Sequence, residues 1–192
     1  MLNKGLRTAK LRLQKIFVFM MVVWLGMFSN PVWAEEANLS NDVRMLTGLC
    51  LDAVNEGNSS AFGDWQFSET VGTNERRLSL DGRFRVFFGP TSFKEPPTVE
   101  LHSCTVRFEK MTGGRLKAVR AVGDVVTGLI GTEVGGVRLH AGRNTHVTQT
   151  PRATACLNGY TVEVVASIGV AKDYAEAVML KVGYSYIDPG AC

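Results

Sequence analysis

Three histidines are the side chains in this sequence best suited to catalysis or metal binding. They are His102, His140 and His146, and the last two stand six residues apart in the stretch RLHAGRNTH. On a strand, an even spacing places two imidazoles on the same face. Zinc prefers three or four ligands, and no Gly-x-Ser-x-Gly nucleophile elbow occurs. We therefore predict no metal, no cofactor and no assigned catalytic residue. A small secreted hydrolase using His102, His140 or His146 remains the alternative.

A second group of side chains fits binding rather than catalysis. Arg83 and Arg85 alternate in the run DGRFRV, so both would point to one face of a strand. Trp65 lies upstream in DWQF, where a core position is the simpler interpretation and an exposed aromatic edge the other. Trp and Arg are frequent anchors in protein interfaces. We expect Trp65, Arg83 and Arg85 to contribute to a surface that binds an unknown protein or envelope component.

The N-terminal segment predicts export. Its apolar run, Ile16–Phe28, has 13 residues, whereas a membrane-spanning helix needs about 20. Five basic residues and no acid precede the run, and Val32 and Ala34 follow it at the small-residue positions of a cleavage site. We expect residues 1–34 to be a bacterial signal peptide cleaved after Ala34, leaving no membrane anchor in a periplasmic or secreted protein. A retained basic helix is the alternative.

The four cysteines, Cys50, Cys104, Cys156 and Cys192, all follow this segment. An even number of cysteines in an exported chain favours two disulfides, and the lack of a Cys-x-x-Cys motif argues against a redox site or a zinc ribbon. We prefer the pairs Cys50–Cys104 and Cys156–Cys192. The first would join a helix to the strand face that it covers, and the second would close two antiparallel strands. The sequence leaves the other connectivities open.

Composition favours one domain in residues 35–192. Without the first 34 residues the chain has 16 Lys and Arg against 18 Asp and Glu. The basic residues are scattered among acids and form no stripe that could neutralise phosphates, so we expect no nucleic-acid partner.

The apolar periodicity predicts two helices and several strands. One helix lies within 39–58, with Ser40 or Asn41 as its N-cap and Gly57 as its end, and the other begins near Leu116. The stretches RRLSLDGRFRVFF, TVELHSCTVRFE, GYTVEVVASIG and AEAVMLKVGYSYID are predicted strands, the last two pairing antiparallel. We therefore expect an α+β fold with antiparallel sheet packed by two helices. Two helix-strand-strand units divided near residue 112 are the alternative organisation.

The Asp-Gly pair in RRLSLDGRFRVFF predicts a hairpin. A three-residue loop with Gly82 in the left-handed conformation would pair Leu78 with Phe84 and bury both. Arg83 and Arg85 would then be exposed on the opposite face. With these elements and no catalytic motif, we expect an exported soluble binding module rather than an enzyme.

Overall fold

A computed structural model of the chain describes residues 31–91, 101–109, 111, 115–142, 151–170, 176–184 and 192. The chain divides into two compact units, Met1–Asn38 and Leu39–Cys192. Only residues 31–38 of the first unit are described, so most of the predicted signal peptide lies outside the described residues. All strands of the sheet, and the first helix from residue 39 onward, belong to the second unit.

The first helix, α1, spans Pro31–Glu56. It ends as predicted, because Gly57 has φ 68°, a left-handed conformation that favours glycine after a helix. The predicted N-cap at Ser40 or Asn41 is wrong, since both residues lie inside the helix. The buried side chains recur at helical spacing: Val43, Leu46, Cys50, Ala53 and Val54.

The second helix, α2, spans Arg115–Gly128 and confirms the helix predicted in this valine-rich stretch. A Cβ at Gly123 would lie 3.3 Å from the ring of Pro151 and 3.9 Å from the side chain of Ala166. Glycine at this position therefore lets α2 approach the sheet closely. The residues of α2 that this approach buries are Ala118, Val119, Val122 and Val126.

Eight strands form one antiparallel sheet. In their order across the sheet they are β1 (Gln66–Val71), β2 (Asn74–Leu78), β3 (Phe84–Pro90), β4 (His102–Phe108), β10 (Glu176–Tyr184), β9 (Tyr160–Val170), β8 (Arg152–Leu157) and β7 (His140–Ala141). A separate hairpin consists of β5 (Glu133–Val134) and β6 (Val137–Arg138), and a 3-10 turn spans Ser60–Phe62. The predicted antiparallel pair of GYTVEVVASIG and AEAVMLKVGYSYID is confirmed as β9 and β10.

The strand order is symmetric about the pairing of β4 with β10. α1 precedes the four strands β1 to β4, and α2 precedes the four sheet strands β7 to β10. Each helix is thus followed by four strands of the large sheet, where the sequence predicted two. The division near residue 112 stays a prediction, because that residue lies outside the described residues.

The two faces of the sheet differ because side chains alternate along each strand. The apolar face is covered by α1, through its disulfide to β4, and by α2, which packs on β8, β9 and β10. We call this the helix face, and on β3 and β4 it carries Phe84, Val86, Phe88, Cys104, Val106 and Phe108. The opposite face carries charged side chains, among them Arg85 and Arg107, and we call it the polar face. In the described part of the chain no helix packs on it.

Both predicted disulfides are present. Cys50 and Cys104 are fully buried and join α1 to β4, with their Cα atoms 5.4 Å apart. Cys156 and Cys192 are exposed and tie the last residue of the sequence to β8, with their Cα atoms 5.8 Å apart. Paired cysteines of this kind fit an oxidising compartment. Neither described helix combines the length and the apolar character needed to cross a bilayer.

The hairpin of β2 and β3 departs from the predicted register. Leu78 pairs with Arg85 and not with Phe84. The connection is a four-residue loop, 80–83, closed by a hydrogen bond of 3.0 Å from the N–H of Ser79 to the carbonyl oxygen of Phe84. The predicted three-residue loop is therefore wrong.

The wider loop is stabilised by the carboxylate of Asp81. It accepts a hydrogen bond of 2.7 Å from the hydroxyl of Ser79 and one of 3.0 Å from the N–H of Arg83. Gly82 has φ 66°, as the turn requires. In this register Leu78 lies half-buried on the polar face. Arg77 pairs with Val86 and occupies the helix-face position that was predicted for Leu78.

Candidate functional site

The histidines of the described residues do not converge. His102 lies on the helix face of β4 and stacks on Phe88, with ring centroids 5.2 Å apart. His140 lies exposed on the polar face of β7, paired with Thr154. Three strands separate β4 from β7, so the two backbones are about 19 Å apart at the usual strand spacing. His146 lies outside the described residues.

No metal centre is visible in the described residues, where no three His, Cys, Asp or Glu side chains gather closely enough to hold an ion. Because His102 and His140 also face opposite sides of the sheet, they cannot act on one substrate atom.

Trp65 lies at the margin of the core. Its ring meets Phe62 edge-on, with centroids 5.2 Å apart, and stacks on Phe84 at 6.4 Å. The indole is half-buried by these contacts. Trp65 therefore fills the space beside the 3-10 turn, as the core interpretation of the sequence expected.

Arg83 ties the β2–β3 loop to α1. Its guanidinium lies 2.6 Å from Asp42 on α1 and 2.5 Å from Asp81 in the loop, and its Cζ is 4.7 Å from the centroid of the Phe84 ring. Hydrogen bonds from Arg83, and then from Ser79, hold the pKa of Asp81 well below its usual value. These contacts engage Arg83 in the loop, away from the polar face.

Arg85 lies on the polar face and pairs directly with Arg107 on β4. We call these two residues the arginine pair. Both contact Glu109: Nε of Arg85 lies 2.9 Å from Oε1, and Nε of Arg107 lies 3.5 Å from Oε2. Neither contact has the geometry of a hydrogen bond, since Nε of Arg107 and Oε1 of Glu109 have no hydrogen-bond partner among the described residues. Both guanidiniums therefore contact one carboxylate without an aligned hydrogen bond from either Nε atom.

Apolar side chains flank the arginine pair in its own cross-strand row. Leu78 on β2 pairs with Arg85, and Met179 on β10 pairs with Arg107; both are half-buried. In the next row Phe87 lies beside Thr105, and Arg76 stacks on Phe87, its Cζ 5.2 Å from the ring centroid. The exposed parts of the guanidiniums are thus bordered by hydrocarbon, which weakens screening by water.

A further ion pair lies on the far part of the polar face. Arg152 on β8 is 3.1 Å from Glu163 on β9, with only 9% of the Arg152 side chain exposed. Lys181 on the intervening strand β10 is exposed in the row of Thr105. The described polar face carries the five cations Arg76, Arg85, Arg107, Arg152 and Lys181 against the three acids Glu69, Glu109 and Glu163. It is locally positive on a domain whose acids outnumber its bases.

Sequence reasoning missed Arg107, Glu109 and Lys181. The signal was present, because polar residues at 103, 105, 107 and 109 alternate with the apolar residues Cys104, Val106 and Phe108. That alternation assigns Arg107 and Glu109 to one face of a strand. It cannot tell which residue of another strand lies opposite, and that pairing creates the site.

Comparison with known proteins identifies no relative. No family model, no curated protein and no solved structure matches this chain.

Proposed function

We propose that the chain is an exported binding protein whose working surface is the polar face, centred on the arginine pair. Its partner would be a protein or another component of the cell envelope, met in the periplasm or outside the cell. The observation that carries this proposal is the direct pairing of Arg85 with Arg107, with Glu109 as their shared carboxylate.

This arrangement is costly if it serves only the fold. Like charges directly opposite each other on neighbouring strands destabilise a sheet. Each guanidinium has five N–H donors, yet among the described residues Glu109 is the charged group that contacts both. Arg85 keeps 37% of its side chain exposed, so its donors are accessible to an incoming acceptor. A partner anion would offset the repulsion and accept hydrogen bonds from the exposed part of Arg85.

Export is supported by the two disulfides together with the basic and apolar N-terminal segment. The bond between Ala34 and Glu35 lies within the range of α1, so cleavage there would leave a glutamate at the start of the helix. Intact-mass measurement of the protein from the envelope or medium should give a chain that begins at Glu35. A mass that still includes the apolar run would overturn export by cleavage.

Site-specific photocrosslinking in the native envelope tests the binding surface. A photoreactive amino acid at Thr105, on the polar face, should give a defined adduct that the additional substitution Arg85→Glu abolishes. The matched position is Lys117, exposed on α2. Adducts from position 117 that persist in Arg85→Glu, with none from position 105, would show that the polar face is not the working surface.

A further inference from the structure

We infer that the partner segment is an acidic, extended peptide that inserts a carboxylate between Arg85 and Arg107. This inference rests on the proposed function and specifies the partner of the same surface. The observation behind it is the contact of the arginine pair with Glu109, which shows that one carboxylate can approach both guanidiniums at once.

The local charge favours a carboxylate over a more highly charged group. Two guanidiniums and Glu109 leave one net positive charge at the arginine pair, which one carboxylate balances. The planar guanidinium fork matches a carboxylate in two parallel hydrogen bonds. A polyphosphate would bring further charges next to Glu109, and repulsion between these anions would oppose its binding.

The neighbouring side chains favour a peptide over a sugar polymer or a lipid surface. Leu78 and Met179 lie on either side of the arginine pair, and Phe87 lies in the adjacent row. Acidic side chains next to apolar ones on an extended chain would meet both kinds of group at once. A sheet face on which no described helix packs also lets such a chain lie across several strands, which are about 4.8 Å apart.

The test uses the full mature chain with both disulfides intact and a short fluorescent peptide that alternates Glu and Leu. The comparison peptide has Gln in place of each Glu. Fluorescence anisotropy should detect binding of the Glu peptide that weakens as salt rises, and weaker or no binding of the Gln peptide. Arg85→Gln should weaken the Glu peptide about tenfold, the usual loss for one charge-assisted hydrogen bond.

Glu109→Gln should change the affinity for the Glu peptide in the opposite direction. It removes the internal carboxylate that competes with the peptide, so the Glu peptide should bind several-fold more tightly, by about the strength of one ion pair. The matched control is Arg120→Gln on α2, which changes the net charge as Arg85→Gln does and should leave binding unchanged. If Arg85→Gln fails to fold by circular dichroism, Arg107→Gln replaces it and should weaken binding in the same way.

Polyphosphate and vesicles of phosphatidylglycerol with phosphatidylcholine separate this inference from the proposed function. If these probes bind in a manner that Arg85→Gln abolishes while the Glu peptide does not bind, the acidic-peptide partner is wrong and the polar face remains the binding surface. Equal binding of the Glu and Gln peptides, or no binding by any probe, also overturns the inference. The separate result that would overturn the proposed function itself is the absence of any adduct at position 105 in the protein that keeps Arg85, together with adducts at position 117 that persist in Arg85→Glu.

Discussion

The helix face and the polar face are the two sides of the same sheet, yet different forces stabilise them. On β3 and β4 the helix face carries Val86 and Val106, both fully buried, so burial of hydrocarbon stabilises it. At the neighbouring positions of these two strands the polar face places Arg85 against Arg107, and both contact one acid, Glu109. Substitutions on the first face should therefore cost stability, and those on the second should change binding.

The two disulfides follow the same division. Cys104 belongs to the helix face and is buried with Cys50, whereas Cys156 lies exposed on the strand side that carries Arg152 and Thr154. The Cys50–Cys104 bond fixes α1 onto the core, and the Cys156–Cys192 bond fixes Cys192 to the exposed side of β8. The loss of unfolding free energy on removing each disulfide, compared between the two, should separate the stabilisation by core contacts from that by restriction of the unfolded chain.

The largest effect is expected from Cys50→Ala with Cys104→Ala. The double variant should lose about 5 kcal/mol of unfolding free energy, because the crosslink and two buried sulfur atoms disappear together. Urea unfolding followed by circular dichroism measures this loss. A loss smaller than that of the exposed disulfide would contradict the division between the two faces.

A smaller effect is expected from Cys156→Ser with Cys192→Ser. We expect a loss of about 3 kcal/mol, close to the chain-restriction contribution alone, because both cysteines are exposed. Urea unfolding measures this loss, and non-reducing peptide mapping of the unmodified protein checks the connectivity first. A peptide that joins Cys50 to Cys156 or Cys192 would show that the fold is crosslinked differently.

Adjacent residues of β4 provide the sharpest comparison of the faces. Val106→Ala should cost about 2 kcal/mol, since it leaves a cavity in the core. Thr105→Ala, one residue away on the polar face, should change stability by about 0.5 kcal/mol or less. Thermal unfolding of both variants measures the difference, and equal losses would mean that the polar face is as tightly packed as the helix face.

The smallest effect is expected from Asp81→Asn in the β2–β3 loop. Folding lowers the pKa of Asp81, so its ionised carboxylate stabilises the fold above the pKa of the unfolded chain, and this stabilisation is lost as the pH falls. At pH 7 the variant should be less stable by about 0.5 kcal/mol, because the carboxylate is largely exposed. The difference should shrink below about pH 4. Urea unfolding at both pH values tests this, and a difference independent of pH would exclude the carboxylate as its cause.

The sequence by itself determined the features that depend on local pattern. The end of α1 at Gly57 follows from glycine's tolerance of positive φ, and the two faces of β9 and β10 follow from strict alternation. The pairing of Cys50 with Cys104 followed from assigning one cysteine to the apolar side of a helix and the other to a strand face beneath it. Each of these conclusions needed only neighbouring residues and one packing contact.

Tertiary structure alone decided which residues of distant segments lie opposite each other. The register that pairs Leu78 with Arg85 depends on how the side chain of Asp81 stabilises the loop, and a shift of one residue exchanges the faces. Residues 66–70 of the edge strand β1 are all exposed, so this strand lacks the alternation of buried and exposed residues that indicates a strand. The arginine pair arises because β3 and β4 meet in one register, and His102 and His140 are separated because three strands lie between theirs. Long-range pairing is set by the summed fit of many side chains, which no local stretch of sequence contains.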